Sequence, residues 1–178
     1  MADAAAAAVA IADTATRAAA RLRTWLADQS AAARGGAAFL CGGLAALSFA
    51  PTYAIPLLFV AVTILVWLID IAADRPRPLR AASFIGWTFG FGYFLVGIYW
   101  VSFSMLVEAD RFAWMIPFAV SGLPAFLALF SAAAAALAAK LWRPGSQRVV
   151  IFAVIWVLSE YLRGHILTGF PWNLFGQV

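Results

Sequence analysis

Residues 81–107 read AASFIGWTFGFGYFLVGIYWVSFSMLV, a stretch of 27 residues without Asp, Glu, Lys, Arg or His. A helix needs about 20 apolar residues to cross the roughly 30 Å hydrocarbon core of a bilayer, because each residue rises about 1.5 Å. This stretch therefore predicts one tilted membrane-spanning helix. Three further stretches lack charged residues in the same way, and they are residues 35–69, 112–139 and 149–159.

The composition of the whole chain agrees with a protein that lies in lipid. Hydrophobic residues make up 65% of the chain and charged residues 11%, whereas a soluble domain has about 45–50% and about 25%. Because so few polar groups could not cover a soluble surface, the composition excludes an ordinary soluble enzyme and a disordered chain. The single cysteine, Cys41, excludes an internal disulfide, and the single histidine, His165, excludes a site that needs two imidazoles.

We predict an all-α fold, a polytopic bundle with about five transmembrane helices in this chain. The first uncharged stretch is too long for one helix, and Pro51 and Pro56 interrupt it. Proline lacks the amide hydrogen and disfavours helix at the residue before it, so this stretch predicts two short helices joined by a tight turn. The predicted helices are residues 34–50, 56–70, 81–107, 112–139 and 149–167, and they form a transmembrane domain over residues 35–178.

The distribution of charged residues between the helices predicts the orientation. Cytoplasmic loops carry an excess of Lys and Arg, so we expect a cytoplasmic N-terminus and a periplasmic C-terminal end. Residues 1–34 are alanine-rich and are expected to form a cytoplasmic helix or a loose tail. The basic segments comprise Arg17, Arg21, Arg23 and Arg34, then Arg75, Arg77 and Arg80, then Lys140, Arg143 and Arg148, whereas the loop after residue 107 has Glu108, Asp110 and Arg111.

The predicted helix over residues 81–107 carries two features beyond its hydrophobicity. Gly86 and Gly90 are four residues apart, a spacing that permits close backbone approach of a neighbouring helix. Near the outward end of the helix, Tyr99 and Trp100 are typical of aromatic anchors at a membrane interface. A contact with substrate is the alternative interpretation of these two aromatic residues.

The strongest candidate for a functional site is the segment SEYLRGHILTGFPW, residues 159–172. Glu160 and Arg163 are three residues apart, so they lie on one helical face and can form an ion pair, which lowers the cost of two charges near a membrane boundary. Alternatively, Arg163 faces an anionic head group. Beyond the helix we expect an irregular turn with Pro171, on which Trp172 could line an acyl-chain entrance.

Six short motifs together resemble the apolipoprotein N-acyltransferase family. They occur in the family's order and spacing and cover about residues 35–178. The last two motifs, taken together, are the most specific part of the resemblance. The motifs are LSFAP at 47–51, RPL at 77–79, GWTFGFG at 86–92, GIYW at 97–100, EYLRG at 160–164 and TGFPW at 168–172.

The resemblance implies a multi-pass enzyme of the bacterial inner membrane that acts in lipoprotein maturation. Members of this family transfer an acyl chain from a phospholipid to the N-terminal amine of the diacylglyceryl-cysteine that begins an apolipoprotein. A periplasmic nitrilase-like domain carries their Glu-Lys-Cys triad, and its cysteine holds the acyl chain as a thioester. The implied partners are the phospholipid acyl donor, the apolipoprotein acceptor and membrane lipid. Neither nucleic acid nor a cofactor is expected.

By the same resemblance, this chain corresponds to the membrane portion alone. The nitrilase-like catalytic domain is absent from the chain, and Cys41 lies in the first predicted helix, so we expect no catalytic residue here and no activity of this chain alone. Two alternatives remain open, the membrane module of a polyprenyl-phosphate sugar synthase fusion and a small non-enzymatic membrane scaffold. The candidate substrate-binding or lipid-binding residues are Trp172, Pro171, Arg163, Glu160, Trp100 and Tyr99.

Overall fold

A computed structural model describes residues 2–143, 145–166 and 173–177, with side chains from residue 9 onward. Within these residues all regular secondary structure is helical, which confirms the predicted all-α fold. The chain divides into two units, Met1–Ser30 and Ala31–Val178. The second unit contains the predicted membrane helices.

The first unit consists of one long helix, α1, over Ala2–Asp28. Alanine has the highest intrinsic helix propensity, and the sequence alone allowed either a helix or a loose tail here. Arg17 and Asp13 form an ion pair one turn apart, and an exposed pair of this kind contributes little to stability. The alanine content is therefore the main local reason for this helix.

The second unit contains five long helices and two short ones among its described residues. α2 spans Ala31–Ala46, α3 Ile55–Ala73, α4 Pro78–Gly97, α5 Val101–Leu106, α6 Ala109–Phe112, α7 Ile116–Lys140 and α8 Gln147–His165. Three stretches are long and apolar enough to cross a membrane, namely α3, α4 and Ala109–Lys140, which contains α6 and α7. The helix α2 is apolar but shorter, and α8 carries charged residues near its end.

One end of the bundle is marked by the contacts of Asp70, near the end of α3. This carboxylate accepts hydrogen bonds from Trp142 and Arg148, so the α7–α8 turn lies beside the end of α3. We call this the basic end, because basic residues outnumber acidic ones there. The residues of the second unit at this end are Arg34, Arg75, Arg77, Arg80, Lys140, Arg143 and Arg148 against Asp70 and Asp74.

The opposite end is marked by Tyr93, near the end of α4. Its hydroxyl donates a hydrogen bond to the carbonyl of Asn173, which lies beyond α8 in the chain. The ends of α4 and α8 therefore lie together. We call this the aromatic end, because it exposes the large rings of Tyr99, Trp100 and Trp114.

The stretch predicted as one helix over residues 81–107 contains two, because α4 ends at Gly97. Ile98 leaves the helical conformation with φ −120° and ψ 14°. Glycine is a weak helix former, and a Cβ added at Gly97 would lie 2.0 Å from Nδ2 of Asn173. A later segment thus occupies the space beside this helix end, which the local sequence does not reveal.

Glycines permit the close packing of α2 and α4, and of α4 and α7. A Cβ at Gly42 would lie 2.0 Å from the carbonyl oxygen of Phe89, and a Cβ at Gly86 would lie 2.4 Å from that of Ser131. At Gly90 an added Cβ would lie 2.7 Å from Oγ of Ser131. The predicted close approach at Gly86 and Gly90 is therefore confirmed, since only a residue without a side chain fits such contacts.

A buried carboxylate connects α3 with α8 and with the turn between α7 and α8 at the basic end. Oδ1 of Asp70 accepts a hydrogen bond from Trp142 Nε1 at 2.8 Å, and Oδ2 accepts one from Arg148 Nη1 at 3.0 Å. Because a buried charge is costly unless it is paired and hydrogen-bonded, these two bonds make the carboxylate tolerable there. They hold the turn between α7 and α8 against α3.

Replacing Gly42 with alanine tests the contact between α2 and α4. We expect Gly42→Ala to lower the free energy of unfolding by about 1–3 kcal/mol, because an overpacked contact forces the two backbones apart. Gly36→Ala is the matched control on the same helix, since no described atom lies within 4 Å of its added Cβ. Thermal unfolding in detergent micelles measures both variants. Equal destabilisation by the two would contradict the close contact.

Removing the buried carboxylate tests the polar connection at the basic end. We expect Asp70→Ala to destabilise the protein by about 2 kcal/mol, because two hydrogen bonds to a charged group are lost together. Asp74→Ala removes an exposed carboxylate one turn later and is expected to change stability by less than about 0.5 kcal/mol. Chemical unfolding followed by circular dichroism compares the variants. A similar effect of both substitutions would show that Asp70 is not a specific anchor.

Candidate functional site

Glu160 and Arg163 lie on the inner face of α8, close to its end. They are 9% and 4% exposed, respectively, and Arg163 Nη2 lies 3.6 Å from Glu160 Oε1. The spacing of three residues places both side chains on one helical face, as predicted from the sequence. Two opposite charges thus share a buried position at the aromatic end of the bundle.

The pair fastens residues 173–177, the described segment beyond α8, to the end of the bundle. The backbone N–H of Phe175 donates a hydrogen bond to Glu160 Oε1 at 3.0 Å. The carbonyl oxygen of Asn173 accepts one from Arg163 Nη2 at 3.2 Å and one from the Tyr93 hydroxyl at 2.8 Å. Each member of the ion pair therefore also holds a backbone group of this segment.

Aromatic rings surround this polar cluster. The ring of Phe175 lies edge-on to Tyr93, with 5.3 Å between centroids, and is stacked on Trp156 at 5.2 Å. The guanidinium carbon of Arg163 lies 4.9 Å from the centroid of Phe94. Because apolar surroundings strengthen hydrogen bonds and ion pairs, the rings stabilise the arrangement while they exclude water.

An apolar groove of about 760 Å³ runs beside this cluster between α3 and α8. Arg148 lies at its basic end, and Glu160 and Phe175 lie at the other. A groove of this composition fits hydrocarbon, because its wall offers few hydrogen-bonding groups. The apolar and aromatic residues of its two helical walls include Val62, Val66, Trp67, Val149, Phe152, Ala153, Trp156 and Val157.

Two of the remaining predicted site residues, Tyr99 and Trp100, lie apart from this cluster. Tyr99 and Trp100 are 50% and 49% exposed at the aromatic end, where the Tyr99 ring packs edge-on against Phe103. Neither residue joins the hydrogen-bonded cluster in the described part of the chain. Pro171 and Trp172 lie outside the described residues.

Three members of the cluster were not predicted from the sequence. A polar contact of Tyr93 could have been predicted, since the hydroxyl of a tyrosine within an apolar helix usually has a hydrogen-bond partner. The contacts of Asn173 and Phe175 could not have been predicted, because they come from backbone atoms and ring packing across the bundle. Cys41 is buried within α2, where a free cysteine packs as a small apolar residue.

Comparison with known proteins identifies the family. A family model described as the apolipoprotein N-acyltransferase N-terminal domain matches residues 41–178. This match covers the helices from the middle of α2 to the segment held by Glu160 and Arg163.

Proteins named apolipoprotein N-acyltransferase match the same part of the chain. One from Rhodopseudomonas palustris is 54% identical over 140 residues, which is 78% of this chain and 26% of that protein. One from Brucella melitensis is 51% identical over 145 residues, which is 79% of this chain and 27% of that protein. One from Sinorhizobium medicae is 48% identical over 143 residues, which is 78% of this chain and 27% of that protein. The chain thus spans about a quarter of the length of these relatives, and it belongs to the apolipoprotein N-acyltransferase family.

Proposed function

We propose that this chain is the membrane portion of an enzyme that transfers an acyl chain from a phospholipid to the N-terminal amine of diacylglyceryl-cysteine on an apolipoprotein. Family membership supports this reaction, and the apolar helices fit a protein whose substrates are membrane lipids. The polyprenyl-phosphate sugar synthase fusion and the non-enzymatic scaffold find no such support.

The orientation belongs to the same proposal. The basic end of the second unit carries most of the basic residues, and such asymmetry is typical of the cytoplasmic side of an inner-membrane protein. The aromatic end, with Glu160 and Arg163, then faces the periplasm. This orientation puts the buried pair on the side where lipoprotein maturation takes place in this family.

Within this enzyme, we assign a positioning role to the Glu160–Arg163 pair. The observation that carries the assignment is the pair of bonds from Glu160 to the N–H of Phe175 and from Arg163 to the carbonyl of Asn173. These bonds fix one end of the stretch that includes Trp172, which by resemblance lies beneath the active site. Small displacements of a positioning element lower rates strongly, because reaction requires well-aligned groups.

We further propose that the nucleophilic cysteine comes from residues beyond those matched here. Cys41 is the one cysteine of this sequence, and it is buried on the α2 helix. A thiol in that position is inaccessible to a lipid ester, whereas an activated nucleophile needs both access and a neighbouring base. The acyl-enzyme thioester is therefore formed elsewhere in the complete enzyme.

A domain exchange tests the proposed function. We expect the R. palustris relative to keep acyl transfer when its matching domain is replaced by residues 41–178 of this chain. In that chimera, Glu160→Ala is expected to lower kcat/KM by about tenfold to a hundredfold, because the segment at Phe175 loses its anchor. Transfer from phospholipid vesicles to a fluorescent diacylglyceryl-cysteine peptide measures the rate.

Glu108→Ala is the control for this experiment, since it removes an exposed carboxylate outside the cluster. It should leave the rate nearly unchanged. A folded chimera without activity would contradict the proposed function. Equal losses of activity in both carboxylate variants would contradict the positioning role of Glu160 but not the proposed function.

Substitution of Cys41 tests the assignment of the nucleophile. We expect Cys41→Ala to leave acyl transfer by the chimera within about twofold, because a buried packing residue contributes only to stability. This chain alone, incubated with an activated acyl ester, should show no mass increase that hydroxylamine reverses. A hydroxylamine-sensitive acyl group on Cys41 would overturn the assignment.

A further inference from the structure

A second pocket lies at the basic end, on the opposite side of the bundle from the aromatic end. It is bounded by the start of α2, the α3–α4 turn and the start of α4, and its volume is about 630 Å³. None of the described residues that line it is acidic. The lining comprises Arg34, Arg75, Arg77 and Arg80 together with Ala31, Pro76, Ala81 and Phe84.

Several positive charges lie close together in this pocket. Arg75 lies near enough to Arg34 for the two charges to repel each other. Arg77 precedes α4 and Arg80 lies in its first turn, and neither α4 nor α2 has an acidic residue in its first turn. Because the N-terminus of a helix carries partial positive charge, both helix starts add to this repulsion. An anion in the pocket would reduce the repulsion among these positive charges.

One wall of the pocket is apolar and includes Phe84. The ring of Phe84 packs against α2 at Gly35, where its Cε1 lies 2.6 Å from the position that a Cβ would take. The glycine thus lets one edge of the ring approach α2 closely, next to the arginines. A ligand that fits this pocket carries negative charge directly beside hydrocarbon.

We propose that this pocket binds the head-group phosphate of an anionic phospholipid of the membrane. The exposed side chains of Arg77 and Arg80 supply planar guanidinium groups, which bind phosphate oxygens in pairs. The glycerol and the first acyl carbons lie against Phe84. Basic pockets between membrane helices bind anionic lipid head groups in this way, and a soluble phosphate would leave the apolar wall unused.

Native mass spectrometry of the full chain in detergent tests this proposal. The probes are dioleoyl-phosphatidylglycerol and dioleoyl-phosphatidylcholine, which share their acyl chains and differ in net charge. We expect preferential retention of phosphatidylglycerol, and we expect Arg77→Gln with Arg80→Gln to weaken its binding about tenfold or more. Lys140→Gln with Arg143→Gln is the control, because it removes the same charge from the same end outside the pocket.

Three outcomes would overturn the proposal. These are equal weakening by both double variants, equal retention of both lipids, and competition by glycerol phosphate at the concentration of the lipid. Thermal unfolding without added lipid checks that the variants fold. If the glutamine variant does not fold, Arg77→Lys with Arg80→Lys takes its place, and lipid binding unchanged by the loss of both guanidinium groups would also contradict the site.

Discussion

The structure depends on one constraint, which is that a carboxylate buried among apolar helices must have charged or hydrogen-bonding partners. Two carboxylates of the bundle meet it, Asp70 at the basic end and Glu160 at the aromatic end. Asp70 binds Arg148 and Trp142, and Glu160 binds Arg163 and the backbone of Phe175. Since Arg148 and Glu160 both belong to α8, the two clusters fix this helix near each of its ends.

Other contacts between the helices depend on close approach of their backbones. Gly42 brings α2 against α4, and Gly86 brings α4 against α7, so these helices pack through small residues in their middle sections. In lipid, dispersion contacts between small residues hold helices together, whereas polar groups determine their register and position. The cluster at Glu160 and Arg163 therefore positions the segment at Phe175.

The uncharged stretches predicted the all-α fold, because the thickness of a bilayer limits the length of an apolar helix. The spacing of Glu160 and Arg163 likewise predicted a shared helical face. The break at Gly97 and the roles of Asn173 and Phe175 were not predictable, since they arise from segments far apart in the chain. The sequence marks Asp70 only as the end of an apolar stretch, because its partners lie more than seventy residues later.

The most direct test of this account is amide hydrogen exchange at Phe175, measured by NMR on protein labelled with ¹⁵N-phenylalanine in detergent micelles. We predict that the Phe175 amide exchanges at least about a hundredfold more slowly than an unstructured amide, because it is bonded to a buried carboxylate. Exchange at the rate of an unstructured peptide, in a protein whose helices remain protected, would contradict the claim that Glu160 anchors the segment after α8.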